Sequence, residues 1–115
     1  MTTAEWASRI WPVLTLAASN HQVLTYDKLA KTIGQVRPAL GKCLEPIQSY
    51  CLLKELPALT SIVVSEKSGL PGTGFTAAAD VPRTQMGVFS HNWMKTKVPI
   101  ATDLKRAVER QPSNG

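Results

Sequence analysis

The chain of 115 residues is 43% hydrophobic and 18% charged, proportions that are typical of a soluble globular protein and exclude a disordered one. Its length predicts a single domain over residues 1–115. The formal net charge is +5 and the pI is about 9.5, a basic excess that favours nucleic acid or another polyanion as partner.

The N-terminal sequence and the cysteines predict a cytoplasmic protein. The N-terminus lacks the basic and apolar regions of a signal peptide, and no apolar run approaches the about 20 residues of a membrane span. Cys43 and Cys51 lie on one predicted helix, about 12 Å apart along its axis. Bridged Cα atoms lie within roughly 7 Å of each other, so we expect two free thiols and a reducing compartment.

The first predicted element is an N-terminal helix. Thr3 is a suitable N-cap, and Trp6, Ile10 and Leu14 follow at helical spacing, which predicts one apolar face. Pro12 interrupts this run and predicts either a kink or two separate helical pieces.

Two further helices joined by a short turn are predicted next. Thr25 is a good N-cap for a helix over Tyr26–Ile33, and Gly34 suits the left-handed conformation that often ends a helix. Pro38 then marks the first turn of a second helix. Its inward face is predicted from residues at helical spacing, namely Leu40, Leu44, Ile47 and Cys51.

Pro46 leaves two possibilities for the second helix. A break at Pro46 gives a short recognition helix over Arg37–Glu45, followed by a segment that ends near Glu55. The alternative is one continuous helix. Both possibilities preserve the same topology.

A strand and a glycine-rich loop tip follow the helices. Leu59–Val64 is rich in β-branched residues and predicts a strand. Ser65–Gly74 has the residues of a wide turn, and Phe75 with Thr76 would begin a return strand. Pairing across the tip would form a wing. The predicted fold is α+β, a small winged helix-turn-helix over 24–75 with an added N-terminal helix and a C-terminal helix.

The C-terminal helix is predicted from its cap and its apolar positions. Thr102 and Asp103 precede Leu104, Ala107 and Val108, which lie on one helical face. Residues 111–115 are polar and predict a frayed tail.

No catalytic or metal site is predicted. His21, His91, Cys43 and Cys51 do not have metal-ligand spacing, and no G-x-S-x-G motif is present. Lys42 next to Cys43 near a helix start favours a lower thiol pKa, but a buried thiol is the simpler interpretation. We therefore expect a protein that is not an enzyme and that has no metal or cofactor.

The basic residues near the second helix predict contact with duplex DNA. Gln35, Arg37 and Lys42 lie at or near its start, where side chains of a recognition helix reach base edges or phosphates. Lys67 lies beside the glycine-rich tip, which would follow a phosphate backbone as a wing does. Lys28 and Lys31 would complete this basic surface.

Three stretches resemble a known family. They are V-L-T-Y-D-K-L-A-K-T-I-G, V-R-P-A-L-G-K-C-L and L-P-A-L-T-S-I-V-V. They resemble the C-terminal domain of the DNA alkyltransferases that repair alkylated guanine, and of their catalytically silent alkyltransferase-like relatives. The resemblance implies that Tyr26 begins the first helix of a DNA-binding helix-turn-helix. It also implies that Arg37 enters the duplex. Ala58 stands where the family has its nucleophilic cysteine, so alkyl transfer is not expected.

A protein-interaction module on the same scaffold is the alternative function. Trp11, Phe89, Trp93 and Pro99 lie outside the predicted helix-turn-helix. Exposed aromatic residues are common interface anchors, although a core position is the simpler interpretation of the tryptophans. The partner is then a protein of the adaptor, inhibitor or immunity type. The oligomeric state stays open in both cases.

Overall fold

The computed structural model describes residues 1–71 and 80–110. These residues form a mostly helical, compact domain with a very small parallel sheet. The elements are α1 (Thr3–Ser19), β1 (Leu24–Thr25), α2 (Tyr26–Ile33), α3 (Leu40–Leu53), β2 (Val63–Val64), α4 (Val81–Ser90) and α5 (Ala101–Arg110). Short 3-10 turns cover Arg37–Ala39, Leu59–Ile62 and Trp93–Lys95. No helix of the described residues is long and apolar enough to cross a membrane.

Helix α1 begins with a capping box. The Thr2 hydroxyl oxygen accepts a hydrogen bond from the Glu5 backbone N–H at 3.1 Å, and the Glu5 carboxylate accepts one from the Thr2 N–H at 3.0 Å. The prediction that Thr3 is the cap was therefore wrong by one residue. Pro12 is exposed, and the helix continues through it to Ser19 because Trp11 and Leu14 anchor both sides in the core.

Trp11 occupies the centre of the core. Its ring makes edge-to-face contacts with Tyr50 of α3 at 5.6 Å and with Trp93 at 5.7 Å between ring centroids. The Trp93 indole N–H donates to the Val88 carbonyl oxygen of α4 at 2.8 Å. This aromatic cluster therefore joins α1, α3, α4 and the 3-10 turn before α5.

The aromatic surface that motivated the protein-interaction alternative does not form. Trp11 is 1% exposed, Trp93 is 3% exposed, and Pro99 is fully buried. Phe89 is partly buried and stacks on the His21 ring. The simpler interpretation of Trp11 and Trp93 as core residues is confirmed.

Helix α2 has the predicted bounds. The Thr25 hydroxyl oxygen caps it by accepting from the Lys28 N–H at 3.2 Å. Gly34 ends it in the left-handed region at φ 76°, a conformation that is strained for residues with a Cβ atom. The turn after α2 is therefore set by local sequence, as predicted.

Helix α3 is continuous through Pro46, so of the two possibilities that the sequence leaves for this segment the single helix is the one that forms. Pro46 lies inside the helix and is buried together with its neighbours Leu44 and Ile47. An interior proline costs about 3 kcal/mol, and burial of each large aliphatic side chain contributes about 1.5–3 kcal/mol. Packing against α1 and α5 therefore offsets the proline. The helix ends at Leu53, close to the predicted end near Glu55.

The predicted strand Leu59–Val64 is mostly a 3-10 turn. Only Val63–Val64 is extended, and it pairs in parallel with Leu24–Thr25. The reason is the length of the partner strand, because α2 begins directly after Thr25 and leaves two residues for pairing. All four residues of the 3-10 turn Leu59–Ile62 are buried, so the alternation of a half-buried strand is absent.

The remaining predictions concern the loop tip and the C-terminus. Helix α5 forms with Leu104 and Ala107 buried, but Val108 is 42% exposed, so its predicted core position is wrong. The predicted return strand at Phe75 and Thr76, the tip residues 72–74 and the tail 111–115 lie outside the described residues.

Replacement of Trp11 by alanine tests the importance of the aromatic cluster. We expect Trp11→Ala to lower the free energy of unfolding by about 3–5 kcal/mol, because it leaves a cavity between α1 and α3. Leu16→Ala on the same helix is the control, since Leu16 is 60% exposed and should change stability by less than about 0.5 kcal/mol. Urea unfolding measures both values. Similar losses in the two variants would contradict the central position of Trp11.

Candidate nucleic-acid interface

The parallel strand pair brings two distant segments together at the start of α2. Leu24 pairs with Val63, and Thr25 pairs with Val64. Because the strands run in the same direction, the residues that follow them emerge at the same edge. The residues after β1 begin α2, and Glu66 follows β2. Glu66 therefore lies beside the N-terminus of α2.

Glu66 binds the first turn of α2. Its Oε1 atom accepts a hydrogen bond from the Asp27 backbone N–H at 2.9 Å. The first N–H groups of a helix have no partner within the helix, and an acceptor with negative charge stabilises them. Glu66 thus supplies, from a position 39 residues away in sequence, a cap that adds to the local cap from Thr25.

Arg37 completes a cluster of charges with the same carboxylate. Its Nη2 atom lies 2.8 Å from Glu66 Oε2, and its Nη1 atom lies 3.6 Å from Asp27 Oδ1. The guanidinium carbon also lies 5.9 Å from the centre of the Tyr26 ring, within cation–π range. We call Tyr26, Asp27, Arg37 and Glu66 the arginine cluster.

The arginine cluster joins three segments of the chain. Tyr26 and Asp27 begin α2, Arg37 begins the 3-10 turn before α3, and Glu66 follows β2. The Arg37 side chain is 47% exposed and the Glu66 side chain 31% exposed, so solvent and an approaching ligand both reach the cluster. The structure therefore brings together Tyr26 and Arg37, two of the five residues predicted to contact DNA.

Hydrogen bonding holds Glu66 in its ionised form. The Asp27 backbone N–H is the largest cause that lowers the pKa of the Glu66 carboxyl, followed by its own backbone N–H, and the Arg37 charge acts in the same direction. A lowered carboxyl pKa means that the charged form is the better bound one. Glu66 is therefore a carboxylate at neutral pH.

Gln35, also predicted to contact DNA, folds back on its own backbone. Its Oε1 atom accepts a hydrogen bond from the Val36 N–H at 2.8 Å. The side chain also hydrogen-bonds Cys43. Gln35 thus links the turn to the first part of α3 and is only partly exposed.

Four lysines near the arginine cluster in sequence carry charges that no carboxylate offsets among the described residues. Two of them, Lys42 and Lys67, are predicted to contact DNA, and the other two lie on α2. Lys28, Lys31, Lys42 and Lys67 are all exposed. Within residues 1–71 and 80–110, the ion pairs are Arg37 with Asp27, Arg37 with Glu66, and Arg83 with Asp80, and none involves these lysines. Their charge is available to an anionic partner.

Sequence reasoning missed Asp27 and Glu66. The sequence analysis gives neither residue a role, and the structure places both against Arg37. Asp27 lies in the first turn of a helix, where a negative charge is favourable. This position is the local sequence signal for its role. Nothing local indicates Glu66, since its role depends on the pairing of β1 with β2.

The two cysteines are free and buried. Burial raises the pKa of the Cys43 thiol, and it raises the pKa of Cys51 to about 11. Thiolates are the reactive form, so the buried-thiol interpretation is confirmed and the lower pKa suggested by Lys42 is wrong. Among the described residues, no three His, Cys, Asp or Glu side chains are grouped as metal ligands.

A small cavity of about 260 Å³ lies at the other end of α3. It is lined by Tyr50, Lys54, Leu56, Thr96, Lys97 and Asp103. Lys54 follows Lys42 by twelve residues of sequence, which is about 18 Å along a helix axis. Lys54 is therefore a matched comparison for Lys42, because it is an exposed lysine at the C-cap of α3, at the opposite end of the helix from the arginine cluster.

Comparison of the chain with protein-family models, curated proteins and solved structures finds no match.

The pH dependence of stability tests the contacts of Glu66. Because its pKa is lowered in the folded state, its contribution to stability is complete above the unfolded value of about 4.3 and is lost as the pH falls through the folded value. The stability difference between wild type and Glu66→Gln should therefore be constant from about pH 6 to pH 8 and should shrink below about pH 4.

Urea unfolding at several pH values measures this difference. Glu45→Gln is the control, since Glu45 is exposed on α3 and outside the ion pairs of the described residues. We expect little difference between this control and wild type at neutral pH. A difference for Glu66→Gln that stays the same from pH 3 to pH 7 would contradict the assigned contacts.

Proposed function

We propose that the chain is a non-enzymatic protein that binds duplex DNA through α2, the turn after it and α3. The observation that carries the proposal is the set of exposed, unpaired lysines around a helix pair whose joining segment presents Arg37. Helix α2 would lie across the backbone, and the first part of α3 would face a groove. The same arrangement supports assignment of a winged helix-turn-helix, which stays part of the proposal.

The N-terminus of α3 suits a phosphate oxygen. Thr2, Thr25 and Asp80 cap α1, α2 and α4 through their side chains. Ala39, at the N-cap position of α3, supplies no such acceptor. The 3-10 turn Arg37–Ala39 leads directly into α3, and the Leu40 N–H donates to the Arg37 carbonyl oxygen. The positive end of the helix dipole still favours an anion at this end. Lys42, in the first turn of the same helix, adds a positive charge at that end.

The loop after β2 would act as the wing. Its described part is closed by hydrogen bonds from the Ser65 N–H to the Leu70 carbonyl oxygen at 2.8 Å and from the Gly69 N–H to the Ser65 carbonyl oxygen at 2.9 Å. Gly69 has φ 68°, which favours glycine at this turn. Lys67 is exposed in the turn, where it would meet the phosphate backbone.

The resemblance to DNA alkyltransferases and alkyltransferase-like proteins is also part of the proposal. It assigns Tyr26 and Arg37 to one DNA-binding site, and the 5.9 Å distance between the Arg37 guanidinium carbon and the Tyr26 ring supports that assignment. Ala58 at the position of the family's nucleophile supports binding without alkyl transfer. An alkylated guanine in the duplex is the corresponding ligand to test.

A protein-interaction module stays the second candidate function. It now rests on exposed aliphatic residues and not on the aromatic residues that the sequence suggested. Met94, Val98 and Ile100 are each more than 60% exposed and lie close in sequence before α5. Exposed apolar side chains favour a protein contact where they form one surface patch. This candidate uses a different part of the chain from the DNA proposal.

Replacement of Lys42 tests the DNA proposal directly. We expect Lys42→Ala to weaken duplex binding several-fold and to make the plot of log K against log salt shallower by about 0.9, the value for one lost phosphate contact. Fluorescence anisotropy with a labelled duplex at several salt concentrations measures both quantities. Thermal unfolding checks that the variant is folded.

Lys54→Ala is the matched control for Lys42→Ala. It removes the same charge from the C-cap of α3, about 18 Å from Lys42 along the helix axis. It should therefore leave the affinity and the salt dependence close to those of wild type. Equal losses in both variants would mean that net charge alone drives binding. Unchanged binding in Lys42→Ala would remove α3 from the interface.

A further inference from the structure

The charge of Arg37 is already neutralised before any DNA is present. Its guanidinium group lies 2.8 Å from one carboxylate and 3.6 Å from a second. The local set of one cation and two anions is therefore negative, although the exposed residues Lys28 and Lys67 are sequence neighbours of the two carboxylates. A phosphate that binds Arg37 therefore has to compete with Glu66 and Asp27 for the guanidinium group.

We propose that Glu66, together with Asp27, forms a carboxylate latch that holds Arg37 back and that duplex binding has to open. This inference rests on the proposed function. In it, Glu66 is a positioning residue that acts through Arg37 and lowers the affinity of the protein for any DNA duplex. Arg37 then gives up its contacts with Glu66 and Asp27 only where a group of the duplex replaces the two carboxylates.

The geometry makes Glu66 the principal arm of the latch. One of its carboxylate oxygens accepts from the Asp27 N–H at 2.9 Å, and the other contacts Arg37 at 2.8 Å. Both oxygens are thus engaged, which fixes the orientation of the carboxylate. The Asp27 side chain, 3.6 Å from Arg37, is the weaker arm.

The exposure of the cluster allows the latch to open. The Arg37 side chain is 47% exposed, and ion pairs at the surface are weak because water competes with each partner. A phosphate has the same charge as a carboxylate and accepts the same pair of N–H groups. A phosphate can therefore replace a carboxylate as the partner of Arg37 without transfer of a proton and without breaking a covalent bond.

Glu66→Gln tests the latch with little change of structure. Glutamine keeps an Oε1 atom that accepts from the Asp27 N–H, but it removes the charge that holds Arg37. We expect duplex binding to become about threefold to tenfold tighter. We also expect log K to fall more steeply with log salt by about 0.9, because Arg37 gains one phosphate contact.

Glu5→Gln is the matched control. Glu5 also accepts from a backbone N–H at the start of a helix, and its replacement removes the same charge from α1, which lies outside the interface. An affinity gain as large as that of Glu66→Gln would overturn the latch, because it would show an effect of net charge alone.

A double-mutant cycle with Arg37→Ala shows whether Glu66 acts through Arg37. If it does, Glu66→Gln should give little gain in the Arg37→Ala background. An equal gain in both backgrounds would overturn the inference. Thermal unfolding of each variant identifies any loss of folded protein.

The outcomes distinguish this inference from the proposed function. Salt-dependent binding by wild type with no gain in Glu66→Gln overturns the latch and keeps the DNA proposal. Binding only by Glu66→Gln supports both the latch and a cryptic DNA surface. No binding by either protein at low salt overturns both proposals.

Discussion

Two residues of parallel strand pairing determine the arrangement of the candidate interface. Leu24 and Thr25 pair with Val63 and Val64, and this register places Glu66 at the start of α2. The carboxylate of Glu66 then contacts both the helix N-terminus and Arg37. Without this pairing, the segment after β2 would have no fixed position relative to α2, and Arg37 would lose its closest partner. The functional proposals therefore depend on a very small sheet inside a mostly helical domain.

The interface combines unpaired cations with one cation that is held. In the proposed function, the exposed lysines of α2, α3 and the loop after β2 would supply long-range attraction to a polyanion, which depends on salt rather than on sequence. Arg37 is different because two carboxylates fix its position and offset its charge. On such a surface, the first attraction of the duplex and its final contact would depend on different residues. The lysines would bring the duplex near, and the strength of the new contact at Arg37 would decide whether the latch opens.

Local signals predicted the local structure, and the contacts between distant segments were not accessible from sequence. The Thr25 cap and Gly34 fix the two ends of α2 through neighbouring atoms alone, so both were predicted correctly. The sequence leaves open whether Pro46 breaks α3, and burial against two other helices outweighs the lost hydrogen bond so that the helix continues. The pairing that makes Val63–Val64 a strand and places Glu66 beside Asp27 spans 39 residues. No pattern within one segment reports such a contact.

The most direct test of the DNA proposal is equilibrium binding of the wild-type protein to a labelled duplex at about 50 mM and about 200 mM salt. We predict binding that weakens steeply between these two concentrations, because each phosphate contact made by a lysine releases a bound counterion. A slope that corresponds to several phosphate contacts would establish the basic surface as a nucleic-acid interface. The absence of binding at the lower salt concentration would contradict the account and would direct attention to a protein partner for the exposed apolar residues before α5.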